Sequence, residues 1–218
     1  MNLYDQKWQK FLKRIWPFNF IPFVDFVFAA GSLATGKMRE DSDFDVIVGA
    51  RQGRIFTARA FCILLFGFLG WRRHKLDHQK SASDKICFNH FVTPKAYRLS
   101  PPHNEYWQNL YLLLVPVYGD PALIQKFWDA NQDWMGQRKM YKWDKRHMYK
   151  SKVLKTVILE KLLSGKIGDW LEKKLKAIQV KRIENSLKLV EIYKPRIVYN
   201  DDELEFHPHT KRTEERLH

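Results

Sequence analysis

Apolar positions fall in different rhythms along the chain, and each rhythm predicts its own kind of element. Between residues 2 and 15, Leu3, Trp8, Phe11, Leu12 and Ile15 recur at helical spacing with basic residues between them. That pattern predicts an amphipathic helix, ended by Pro17. Short, nearly continuous apolar runs follow: FVDFVFAA (23–30), closed by Gly31; DFDVIVGA (43–50), with Gly49 near its end; and KICFNHFV (85–92), stopped by Pro94. Runs of this length bounded by Gly or Pro predict buried strands. A helix from about Gly53 to Leu69 separates the second from the third. From Asn104 onward the pattern is mostly helical, with breaks at 116–121 and near Gly136. Val153, Leu154, Val157 and Ile158, then Ile167, Leu171, Leu175, Ile178, Leu187 and Val190, recur at three and four residues and predict two or more further amphipathic helices. The stretch after Lys194 is polar and charged, the composition of a poorly ordered tail. No internal repeat is present.

Composition sharpens this picture. With 218 residues, 45% hydrophobic and 15% aromatic, the chain has enough apolar surface to bury a core, which excludes general disorder. The formal charge of +14 and a pI near 9.7 point to polyanionic partners or substrates. Most of the excess lies between Arg138 and Arg196, where 18 lysines and arginines stand against 6 acids. Trp134, Tyr141, Trp143 and Tyr149 are set close to or among these cations, a combination suited to contacting a nucleic-acid backbone and stacking on its bases. The two cysteines, Cys62 and Cys87, lie in apolar surroundings and form no C-x-x-C pair, so the sequence indicates neither a disulfide framework nor a cysteine-based metal site. A reducing cytoplasm is the expected compartment. The first thirty residues imitate a secretion signal in part, but Pro17, Pro22 and Asp25 interrupt the apolar run. The run Ala60–Trp71 is too short to span a bilayer and predicts a buried helix, so no membrane partner is expected.

The stretch GSLATGKMREDSDFDVIV (31–48) carries the chemistry. Gly31, Gly36 and Lys37 fit a phosphate-binding G-x-x-x-x-G-K loop, yet that loop needs Ser or Thr after its lysine and a long helix behind it. Met38 stands in the hydroxyl position, and the next strand begins too soon to leave room for the helix. The alternative parse meets its demands. Gly31 ends a strand and lets backbone amides approach a triphosphate, Ser32 adds a hydroxyl, and Asp43 and Asp45 alternate on a strand so that both carboxylates leave the same face while Phe44 turns into the core. Such a pair suits Mg²⁺, and two ions clamp the attacking and leaving oxygens of an in-line displacement.

These residues resemble the signature of the DNA polymerase beta-like nucleotidyltransferase superfamily, in particular its small bacterial minimal or antibiotic-modifying branch: an apolar strand, Gly-Ser, a spacer, and Asp-x-Asp followed by apolar residues. Residues 23–50 carry the resemblance. It implies an α/β (α+β) fold, a small mixed sheet with flanking helices followed by a helical C-terminal region. The corresponding organisation is a nucleotidyltransferase core over 1–100, a helical and strongly basic region over 101–195, and a charged tail over 196–218. It further implies that Asp43 and Asp45 ligate Mg²⁺, that Gly31 and Ser32 hold the nucleotide phosphates, and that a nucleoside triphosphate is the donor. The family pattern also implies a third carboxylate on a later strand. None lies inside KICFNHFV: Asn89 holds an interior position, Asp84 stands just before the strand and is the candidate, and Asp77 lies one turn earlier.

Lys37 and Arg39 are candidate triphosphate contacts or solvated loop cations. His74, His78, His90 and His103 are dispersed, and His207 and His209 sit in the charged tail, so no histidine metal site is expected. The basic helical segment 138–182 is expected to face the cleft that holds the acids. Two functional readings follow: an Mg²⁺-dependent nucleotidyltransferase with an unidentified acceptor, or a catalytically weak module of the same fold that binds nucleic acid or acts as an antitoxin-like partner. RNA or another polyanion is the expected macromolecular partner in either case.

Overall fold

The computed structural model describes residues 1–73, 82–101, 103–136, 154–187 and 196–207. His74, Asp77, His78, Tyr141, Trp143, Tyr149, His209 and the side chain of His207 lie outside the described residues.

The chain opens with α1 (Leu3–Arg14), whose start is capped by the Asn2 side chain accepting from the Asp5 amide. Pro17 then sits in a 3₁₀ segment, Trp16–Phe20, that carries the chain to β1 (Val24–Ala29). A single helical turn, α2 (Gly31–Thr35), leads through a loop to β2 (Phe44–Ala50). Then come α3 (Ile55–Phe68), β3 (Ile86–Val92), α4 (Glu105–Leu112), β4 (Val115–Gly119), α5 (Pro121–Asp129), α6 (Gln132–Met135), α7 (Leu154–Leu162), α8 (Lys166–Leu187), β5 (Arg196–Tyr199) and β6 (Glu203–His207). The six strands form one open sheet in the order β4-β1-β2-β3-β6-β5. β2 and β3 run parallel and every other neighbouring pair is antiparallel, so the sheet is mixed and the fold α/β.

Strand alternation divides the interior into two cores. Phe44, Val46, Val48 and Ala50 of β2 point to one face, where Trp8, Phe11 and Ile15 of α1, Phe18, and Ile55, Phe56, Cys62 and Phe66 of α3 close over them. On the other face Phe26 and Phe28 of β1 and Ile47 of β2 pack against Trp107, Tyr111, Ile124, Phe127 and Trp128 from α4 and α5. Asp45 alternates with Phe44 and therefore lies on this second face, beside Ile47.

Three differences from the sequence pattern change the picture. First, the sheet draws β4 from the break expected at 116–121, where the pattern predicts no strand, and β5 and β6 from the stretch expected to be a tail. Glu203 and Glu205 of β6 are buried, and His90 Nε2 lies 3.2 Å from Glu203 Oε1 while Ser100 Oγ donates to Glu203 Oε2 at 3.0 Å. Second, the periodic apolar positions of the last helices are not all inward: Leu154, Val157, Ile158, Ile167 and Ile178 are exposed, while Leu175 and Val180 of α8 pack against the core. Third, α8 packs on α3, over the face opposite the acid pair. Glu172 accepts from the amides of Phe56 and Thr57 at the start of α3 (both 2.8 Å), and Gln179 Nε2 donates to the Phe56 carbonyl at 2.8 Å. α8 therefore does not face the cleft of the acids, nearing that region where Arg182 lies beside Arg72, while residues 138–153 of the expected basic segment lie outside the described residues. Among the described residues no helix is long and apolar enough to cross a membrane.

Candidate active site

The site is set by the way β1 turns into α2. The Ala30 amide donates to the Asp45 carbonyl at 3.0 Å, and Gly31 follows at φ +59°. A Cβ at Gly31 would come within 2.2 Å of Asp45 Oδ2, so glycine is required both for the backbone conformation and for the space that the carboxylate occupies. Gly31→Ala is expected to cost about 2 kcal/mol or more, from left-handed strain plus displacement of the carboxylate. Denaturant unfolding measures the loss, and nucleotide binding should weaken with it. Ser32 is half-buried next to Gly31, while Lys37 and Arg39 are exposed, Arg39 pairing with Asp41 at 3.3 Å.

Asp43 and Asp45 are brought together as the spacing predicts, with Phe44 between them buried against Phe11 at 5.4 Å. β3 supplies the rest of the wall. Cys87 is the register partner of Asp45 in the parallel pair, and the register then shifts so that Ile47 faces His90. A local irregularity of this kind re-aims a side chain, and Asn89 Nδ2 donates to Asp45 Oδ1 at 3.1 Å. One ligand atom from each of Asp43, Asp45 and Cys87 lies within 4.8 Å of the others. Arg73 closes the group by donating to Asp43 Oδ2 at 2.5 Å.

Burial, and then the charge of Asp43, push the Asp45 carboxyl up to about 7, against the pull of Arg73 and the hydrogen bonds from Cys87 and Asn89. Burial, and then the charges of Asp45 and Asp43, push the Cys87 thiol well above its ordinary range. Two carboxylates this close form a site that gains from a bound cation. Their oxygens are the hard donors that Mg²⁺ and related ions take, so the residues present fit a divalent metal.

Asp84 stands outside this group. Its backbone is left-handed at φ 61°, and its carboxylate accepts from Lys7 Nζ at 2.9 Å and from Lys10 Nζ at 2.5 Å, while Arg14 donates to its carbonyl. Burial raises the carboxyl, but the two lysines outweigh it and hold Asp84 below the usual carboxylate range. Lys7, itself buried, also donates to the carbonyls of Glu40 at 2.6 Å and Ser42 at 3.2 Å. The α1 helix thus pins the loop that delivers Asp43. Asp84→Asn is expected to destabilise the fold by about 3 kcal/mol at neutral pH, because a buried lysine loses its counter-ion. A lowered carboxylate stabilises above its unfolded pKa and loses that stabilisation as pH falls through its folded value. Urea unfolding curves of wild type and variant should therefore converge in acid.

A family model for the nucleotidyltransferase domain matches residues 6–86, which takes in most of α1, then β1, Gly31, Ser32 and the acid pair. Over this stretch the chain is similar to that domain. A search of the curated proteins finds no match. That family's reaction class is transfer of a nucleotidyl group, and the resemblance drawn from Gly31, Ser32, Asp43 and Asp45 agrees with the family matched. Lys7, Arg73 and Cys87 are site residues that the sequence pattern does not expose. Arg73 sits in a run of cations typical of a surface turn, and Cys87 passes as one more apolar residue of a strand. The signal for Cys87 is its place on the strand parallel to β2, which only the sheet register reveals. Trp134, expected as a stacking surface, is already stacked on His103 with ring centres 4.4 Å apart.

Proposed function

We propose that the nucleotidyltransferase domain transfers a nucleoside monophosphate from a nucleoside triphosphate to an acceptor hydroxyl or phosphate, with release of pyrophosphate. The observation that carries this reading is the seating of Asp45 against Gly31, with Asp43 beside it, at the turn from β1 into α2. In this reading Asp43 and Asp45 hold divalent cations, ordinarily two Mg²⁺ ions. A cation held there would supply neutralising charge to the phosphates. Gly31 and Ser32 lie next to the acids and are assigned to the β- and γ-phosphates, through open backbone and a hydroxyl. Phe44, buried on the opposite side of β2, fixes the angle at which both acids leave the strand. Asn89 holds one oxygen of Asp45 and leaves the other directed to the Gly31 turn. Catalysis then comes from positioning and electrostatics rather than from a covalent intermediate.

We place this reaction in the cytoplasm, where nucleoside triphosphates are available. The acceptor is open among a small-molecule hydroxyl, an RNA end and a protein hydroxyl. α8, bearing exposed Lys173, Lys174, Lys181 and Arg182, lies across the sheet from the acids and supports a polyanion as a docking partner more than as the reacting group. The reading is tested by titrating each of the four nucleoside triphosphates into the protein with and without Mg²⁺ in a calorimeter. Metal-dependent binding of at least one nucleotide is expected; equal heats with and without metal would contradict it.

A further inference from the structure

Cys87 is the member of the acid group that the reaction above leaves without a task. It is 8% exposed and buried at the floor of the site. As the parallel register partner of Asp45 it projects from the same face of the sheet, and its Sγ lies within 4.8 Å of an oxygen of Asp43 and of Asp45. Simple packing does not account for this placement. The chain's other thiol, Cys62, has an ordinary core setting on α3 among apolar residues, whereas Cys87 faces two carboxylates and Arg73.

We propose that Cys87 is the third protein ligand of the divalent cation held by Asp43 and Asp45, and that it tunes the site toward thiophilic cations of the Zn²⁺ and Co²⁺ class over Mg²⁺. This rests on the assignment of Asp43 and Asp45 as metal ligands and extends it to the identity of the metal. Mg²⁺ takes oxygen donors and gains nothing from sulfur, while thiolate combined with carboxylate is a ligand set that Zn²⁺ and Co²⁺ accept readily. As the metal–sulfur bond forms, the thiol proton leaves to solvent and no electron is transferred. The three anionic ligands are then balanced by the divalent ion and the Arg73 guanidinium, which already reaches Asp43.

The test titrates Co²⁺, Cd²⁺ and Mg²⁺ separately into the full chain, reading the ultraviolet charge-transfer band of a metal–thiolate bond together with calorimetric affinity. Wild type and the Cys62→Ser control should both show the band with Co²⁺ and Cd²⁺. Cys87→Ser should lose it and bind Co²⁺ about tenfold or more weakly, the scale expected when a metal site loses a supporting group, with its Mg²⁺ affinity unchanged. Cys87→Asp, which replaces sulfur by oxygen donors, should move the preference toward Mg²⁺. Co²⁺ bound equally by wild type and Cys87→Ser, with no thiolate band, would overturn the role of Cys87 while leaving the two acids as ligands. Absence of any divalent cation binding in wild type would overturn that assignment as well.

Discussion

Replacing Asp43 and Asp45 together by asparagine is expected to abolish metal-dependent nucleotide binding and to lower nucleotidyl transfer by about a thousandfold or more, the scale on which preorganised charge stabilisation acts in such sites. Asparagine keeps the shape of each side chain, so Phe44 stays packed on Phe11 and the strand is undisturbed. What the variant loses is negative charge at two positions on one face of β2. Arg73 loses its ion pair with Asp43, and the unpaired guanidinium offers no replacement for a cation. The effect should therefore appear as lost metal affinity and lost turnover in a protein that still unfolds cooperatively. Calorimetry with a non-hydrolysable nucleotide, alongside a denaturation curve, separates the two.

The second large effect concerns pH. Without metal the protein should lose stability as pH rises from about 4 to about 7. Asp45 is raised from 3.8 to about 7 in the folded state. Below about pH 4 both folded and unfolded chains hold the proton and the group contributes no penalty; between the two values only the folded chain holds it, and above about 7 the fold bears the full penalty of a buried carboxylate beside Asp43. A shift of this size corresponds to about 4 kcal/mol at most. Asp45→Asn should match wild type near pH 4 and exceed it progressively to about pH 8, in urea unfolding with a chelator present. Adding divalent metal should close the gap at high pH, since the ion replaces the proton as the neutralising charge.

The acid pair and Gly31 are legible in the sequence because their demands are local: a strand end, a glycine, and two acids one residue apart. The helix α1 and the strands β1 to β3 are legible for the same reason, since their apolar runs are bounded by Gly or Pro. β4 escapes notice because Pro116 argues against a strand. It is tolerated because β4 lies at the edge of the sheet, where one missing donor need not break a ladder. β6 is hidden by its charge: ELEFH alternates, and Leu204 enters one core while Glu203 and Glu205 are buried on the other face, Glu203 through His90 and Ser100, partners that lie far away in sequence. Periodicity marks α7 and α8 as helices but does not say which side faces inward, because Glu172 and Gln179, polar residues, make the anchoring bonds to α3. Cys87 comes beside the acids through sheet register, and Arg73 through an isolated backbone pairing with Ile86, which no local pattern records.

Metal-dependent nucleotidyl transfer on Asp43 and Asp45 can be followed directly by the fate of the α-phosphate. Its most direct test is incubation of the protein with nucleoside triphosphates labelled at the α-phosphate, Mg²⁺ or Co²⁺, and fractionated cell extract containing RNA, proteins and small molecules. Label should be incorporated into one fraction with matching release of pyrophosphate, dependent on added metal and absent from the Asp43→Asn, Asp45→Asn double variant. Incorporation that persists in the double variant, or wild-type protein that transfers no label to any fraction with either metal, would contradict it.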